Sequence, residues 1–138
     1  MRRSIIAITS LGLIAFVGLA VSAREDKKPR YFEMREYIAN PGKADAMHTR
    51  FREHTCALFQ KHGIELVGFW TPAGGENAEN RLIYIIAFPS PETRDAMWKA
   101  FAEDPEWVKV KAESEKDGVL VGKVIQTFMN PTDYSPIQ

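Results

Sequence analysis

The chain is expected to fold as an α+β domain: a four-stranded antiparallel sheet with two helices on one face. Three observations carry that expectation. After residue 30 the apolar residues recur with the periods of strand, helix, strand, strand, helix and strand, in that order. Asp104-Pro105-Glu106-Trp107 interrupts the second helix with a fresh cap and a proline. A short echo, Asp45-Ala46-Met47 ahead of Phe51 and Asp95-Ala96-Met97 ahead of Phe101, suits a doubled strand-helix-strand unit. Two such units give the ferredoxin-like βαββαβ arrangement.

Residues 1–23 stand outside that pattern. Arg2 and Arg3 precede an apolar run from Ile5 to Val21 that ends at Val21-Ser22-Ala23, as in a secretory signal peptide cleaved after Ala23. A retained N-terminal anchor is the rival, because the run approaches the roughly 20 residues that span a bilayer. Residues 24–30 contain no apolar side chain other than Pro29 and form a flexible linker. The domain then occupies residues 31–129, followed by a proline-containing tail over residues 130–138.

Within the domain, Tyr31 to Ile38 alternates, with Phe32, Met34, Glu36 and Ile38 on one side and Tyr31, Glu33, Arg35 and Tyr37 on the other. Asn40-Pro41-Gly42 ends it. Lys43 to His62 spaces Ala44, Met47, Phe51, Thr55, Leu58 and Phe59 along one helical stripe, and Gly63 stops the helix. The second strand, Ile64 to Thr71, places Ile64, Leu66 and Trp70 on one face and Val67 and Phe69 on the other. After the loop Pro72 to Asn80, the third strand, Leu82 to Phe88, is apolar throughout. Ser90 caps the second helix with Pro91 at its first position, and Val119 to Met129 makes the fourth strand.

Composition limits the partners. The 18 basic and 18 acidic residues balance; loss of Arg2 and Arg3 with the leader leaves 16 against 18, a net charge of −2. No basic field exists to hold nucleic acid or an acidic membrane surface. Export to the periplasm or medium is oxidising, yet Cys56 is the sole cysteine and forms no disulfide within one chain. Strands two and three are apolar on both faces, and two helices can cover only one. Leaving large side chains in water forgoes roughly 1.5 to 3 kcal/mol each, so a homodimer closing the open face, with Phe69 among the residues expected there, is the simplest remedy.

Short motifs in order then carry a resemblance. Met34-Arg35-Glu36-Tyr37 leading to Pro41-Gly42-Lys43, Glu53-His54 and Lys61-His62-Gly63, Leu66-Val67-Gly68-Phe69-Trp70, and Asp104-Pro105-Glu106-Trp107 together resemble the NIPSNAP family over Tyr31 to Met129. That resemblance implies a dimeric α/β-barrel of the ferredoxin-like group, two sheets closing on one another. It implies no agreed chemistry, since the family is described mainly through interactions and trafficking. The leader is a departure that sits badly with an intracellular trafficking role.

Candidate site residues are few. His48, His54 and His62 share a helix, but His54 lies about 240° round from His48 and His62 about 21 Å along the axis, so they cannot hold one metal ion. His54 belongs to the helix-one motif and is a ligand-binding candidate, against the plainer reading of a satisfied histidine beside Phe51 and Leu58. Arg35 and Tyr37, with Glu33, are either a surface ion pair and its neighbour or a polar patch in a cavity. Trp70 and Tyr84 supply candidate aromatic surface, while Trp98 and Trp107 read as core or interface residues needing one partner for each indole N–H. No cofactor or catalytic set is assigned, and whether the chain is an enzyme stays open. The leading function is an exported dimeric module that binds a small apolar ligand or a protein partner. The alternatives are a cofactor-free monooxygenase-like or haem-handling enzyme of the same barrel group, and an accessory chain of a larger assembly.

Overall fold

The computed structural model describes residues 30–138. The expected signal peptide and all but the last residue of the expected linker lie outside the described residues. Strand β1 (Tyr31–Ala39) leads to α1 (Ala44–Arg50), a π-helical turn (Phe51–Thr55) and α2 (Cys56–Lys61). Then come β2 (Glu65–Trp70), a 3-10 turn (Ala78–Asn80), β3 (Arg81–Phe88), α3 (Pro91–Glu103), α4 (Pro105–Ser114) and β4 (Val121–Met129). The sheet order is β2-β3-β1-β4 with every pair antiparallel, which is the expected ferredoxin-like topology.

Local chemistry fixes the helix boundaries. The Ser90 hydroxyl accepts from the Thr93 amide at 3.2 Å while the Thr93 hydroxyl accepts from the Ser90 amide at 2.9 Å, a reciprocal cap in front of α3. Asp104 ends α3 and starts α4: its Oδ1 accepts from the Glu106 amide at 2.8 Å. Its Oδ2 meets Lys61 Nζ at 2.8 Å and His62 Nε2 at 2.6 Å, so the break between α3 and α4 is tied to the end of α2. Lys61 and His62, with the Glu106 amide, hold the Asp104 carboxyl well below the usual carboxylate range.

The first helix is not the single regular helix its stripe suggests. The Cys56 amide donates to the Phe51 carbonyl, a step of five residues, and the Thr55 hydroxyl donates to the Arg50 carbonyl at 3.2 Å. At the entry to this wide turn, the consecutive residues Arg50 and Phe51 are each 5% exposed. Burial also pushes the Cys56 thiol up, consistent with a packing role.

The helices cover the β1 face that carries Glu33, Arg35 and Tyr37. In β3 the same face carries Leu82, Tyr84, Ile86 and Phe88, and with Phe51, Phe59 and Phe101 it forms the core. The open face carries Phe32, Met34 and Ile38 beside Ile83 and Ile85. The tail folds back along part of it, where Pro131 and Ile137 face Phe32, Val67 and Ile85 across a hollow of about 310 Å³.

The face assignment expected for β2 is corrected here. Leu66 pairs with Ile86 and Gly68 with Ile85, so Val67 is an extra residue in a β-bulge. Past the bulge the alternation inverts. Phe69 therefore lies on the covered face, stacked on Tyr84 with ring centroids 5.3 Å apart and 6.0 Å from Phe51. Trp70 lies on the open face and folds over Gly68, where any Cβ would stand 2.4 Å from the indole.

This placement makes a substitution test. Phe69→Asp should destabilise the domain by about 3 kcal/mol or more, through lost packing and an unpaired buried charge. Val108→Asp, at an exposed position on α4, should shift chemical-denaturation stability by under about 1 kcal/mol. Equal effects would overturn the inverted register of β2.

Candidate functional site

Glu33 has no exposed surface, and four hydrogen bonds compensate its burial. Arg94 of α3 donates twice, Nε to Oε2 at 2.9 Å and Nη2 to Oε1 at 3.1 Å. Trp98, one turn further along α3, donates its indole N–H to Oε2 at 3.0 Å, and Arg35 Nη1 reaches Oε1 at 3.2 Å. The Arg35 guanidinium also lies over the Trp98 ring, 4.4 Å from its centroid. A carboxylate buried without such donors would be strongly unfavourable, so Glu33 fixes where α3 sits on the sheet.

Docked in that place, the helices stop short of β4. Val124 and Phe128, on the helix side of β4, remain exposed. Between β1, β4 and the helices lies a cavity of about 370 Å³. Six aromatic side chains line it: Tyr37, Phe51, Phe59, Trp98, Phe101 and Trp107. Arg50, Lys111 and Glu115 are its charged members, and Thr55 adds a hydroxyl already given to the Arg50 carbonyl. Arg50 Nη1 donates to Glu115 Oε1 at 2.9 Å and to Ser114 Oγ at 3.2 Å, and the guanidinium lies 5.3 Å from the centre of the Trp107 ring.

Among the described residues three buried side-chain atoms lack a hydrogen-bond partner: Arg35 Nε, Arg50 Nε and the Tyr84 hydroxyl. All three lie in the layer between helices and sheet. Tyr84 packs behind the cavity wall, 5.3 Å from the ring centres of both Tyr37 and Phe51. Burial, followed by the neighbouring Tyr37, pushes its phenol well above the usual range, so the hydroxyl stays protonated.

Of the residues singled out from sequence, Arg35, Tyr37 and Tyr84 come together. Arg35 pairs with Tyr84 across β1 and β3, and Tyr37 stands in the cavity wall. Trp70 is on the opposite face of the sheet, and half of it is exposed. His54 points away from the core: its side chain is 45% exposed and 4.0 Å from Glu53. His62 is engaged with Asp104 instead. Sequence reasoning missed Arg50, although it follows Met47 by three residues and so falls on the inward stripe. It also missed Arg94 as the partner of Glu33, a contact 61 residues apart in the chain.

The NIPSNAP family model matches residues 32–136. No curated protein matches the chain. A NIPSNAP family protein of unknown function from Agrobacterium tumefaciens is 24% identical, with 79% of this chain and 94% of that one covered and a TM-score of 0.68. An uncharacterised NIPSNAP-like domain protein from Burkholderia xenovorans is 19% identical, covering 78% of this chain and 89% of the other at a TM-score of 0.67. A putative antibiotic biosynthesis monooxygenase from Nitrosomonas europaea shares the fold more distantly: 12% identity, 75% and 99% coverage, and a TM-score of 0.52.

Proposed function

The chain belongs to the NIPSNAP family, and on that footing we propose that it is an exported, dimeric domain that binds a small, largely apolar molecule between its helices and its sheet. The observation that carries the reading is the cavity of about 370 Å³ walled by six aromatic side chains. Its volume falls in the range of small-molecule pockets, roughly 300 to 1,000 Å³.

Export rests on the leader, Arg2-Arg3 through Ala23. Dimerisation rests on the open face, where Met34, Ile38, Ile83, Ile85 and Ile125 stand with Trp70 on the side the helices do not cover. Burying five or six such side chains contributes on the order of 10 kcal/mol before association costs. The runner-up is a cofactor-free monooxygenase-like or haem-handling enzyme of this barrel group. Its support is the fold likeness to the Nitrosomonas europaea protein and the unpartnered Tyr84 hydroxyl, a donor within reach of a substrate oxygen only if Tyr37 or Phe51 moves aside. A visible absorption band in the purified protein would favour the haem arm.

Protein recovered from outside the cytoplasm should have an intact mass beginning at Arg24 and, by light scattering, twice the chain mass at micromolar concentration. A retained leader in the membrane pellet would replace export with anchoring, and a soluble monomer would remove the dimer.

For the ligand, calorimetric titration of the mature protein with 2-naphthoate and with 2-naphthalenemethanol should give saturable binding of at least one, at about one per chain. Ala102→Trp, which fills the cavity from its lining, should abolish that binding without lowering the melting temperature. Absence of binding by both probes up to millimolar concentration, or binding untouched by Ala102→Trp, would sink the cavity reading.

A further inference from the structure

We infer that the molecule held in this cavity is an aromatic or alicyclic carboxylate, oriented with its anionic end on Arg50. The inference rests on the cavity reading above and adds the charge and polarity of the ligand. Arg50 lines the cavity, is 5% exposed, and has an Nε–H with no acceptor. Its Nη1 is already committed to Glu115 and Ser114, so the guanidinium is held in place while Nε and Nη2 keep N–H donors to spare. Arg50 ends α1 where the π-helical turn begins, and the Thr55 hydroxyl satisfies the Arg50 carbonyl within the wide turn.

The charge balance of the lining points the same way. Arg50 and Lys111 oppose one carboxylate, Glu115, which leaves a net lining charge of +1. A ligand bearing a single negative charge neutralises that excess, and its carboxylate oxygens supply acceptors for the guanidinium N–H groups that Glu115 and Ser114 leave free. The six aromatic walls then select what lies behind the carboxylate: a flat apolar body able to stack on Trp98 or Trp107. A dianion such as a phosphate monoester would overcompensate the site and place polar oxygens against rings. A neutral hydrocarbon would leave the positive charge of the lining unmatched.

Arg50 is a binding residue in this scheme, and the test reads discrimination as well as affinity. In wild-type mature protein, 2-naphthoate should bind about 10- to 100-fold more tightly than the neutral 2-naphthalenemethanol, the range expected for a hydrogen bond to a charged group. Lys111→Gln, at an exposed position, should narrow that ratio severalfold while leaving the fold intact. Arg50→Gln should bring the two affinities together, with circular dichroism reporting whether the helix survives. Equal affinities in the wild type would overturn the charge assignment and leave the apolar-ligand reading standing. Loss of binding by both probes in the wild type would remove both. Discrimination fully retained in a folded Arg50→Gln protein would also overturn the assignment, because the anion would then be read elsewhere.

Discussion

A carboxylate with no access to water organises this domain. Glu33 is the third residue of β1, on the face the helices cover, and a carboxylate is tolerable there only because Arg94, Trp98 and Arg35 surround it with N–H donors. Two of the three come from α3. The apolar stripe of that helix would hold it to the sheet with some latitude in angle and register, as hydrophobic contact is not directional. Hydrogen bonds of 2.9 to 3.1 Å to a fixed carboxylate remove the latitude. With α3 so placed, α4 follows from the shared cap Asp104, and Asp104 in turn is gripped by Lys61 and His62 at the end of α2.

The cavity is a consequence of that arrangement. Helices anchored over β1 and β3 leave the helix side of β4 bare, and Val124 and Phe128 stay exposed there. Trp98 links the two features, since its N–H serves Glu33 while its ring forms part of the cavity wall. Structural support and cavity wall thus share a side chain. The open face of the sheet poses the opposite problem: it is apolar, only partly screened by the returning tail, and suited to a second copy of the chain.

Much of the fold could be read from the chain. Period-two and helical stripes gave all four strands and the helical segments, and Ser90-Pro91 and Asp104-Pro105 marked two helix starts within a residue, because capping chemistry is local. The bulge at Val67 breaks the strand period by one residue, and that put Phe69 on the wrong face. Arg50 was passed over for its charge: it lies on the inward stripe, but an arginine is buried there only with partners distant in the chain, Ser114 and Glu115. The site was legible only in part. Arg35, Tyr37 and Tyr84 were singled out and meet in space, whereas His54 and Trp70 lie away from the cavity. Glu33 was seen beside Arg35, but its dependence on Arg94 and Trp98 is a tertiary fact that no local pattern encodes.

Native-state hydrogen exchange on Glu33→Gln, compared with the wild type, addresses the organising role of this carboxylate most directly. Glutamine keeps the shape but removes the charge and turns one acceptor oxygen into a donor against Arg94, Trp98 and Arg35; Arg94 keeps Asp95, and each lost hydrogen bond to a charged group costs about 1.5 to 3 kcal/mol. Amides of α3 should then exchange on the order of 100-fold faster or more, while the paired amides of β1 and β3 change less. Unchanged protection across α3 would contradict the view that Glu33 positions this helix, and with it the explanation of how the cavity is formed.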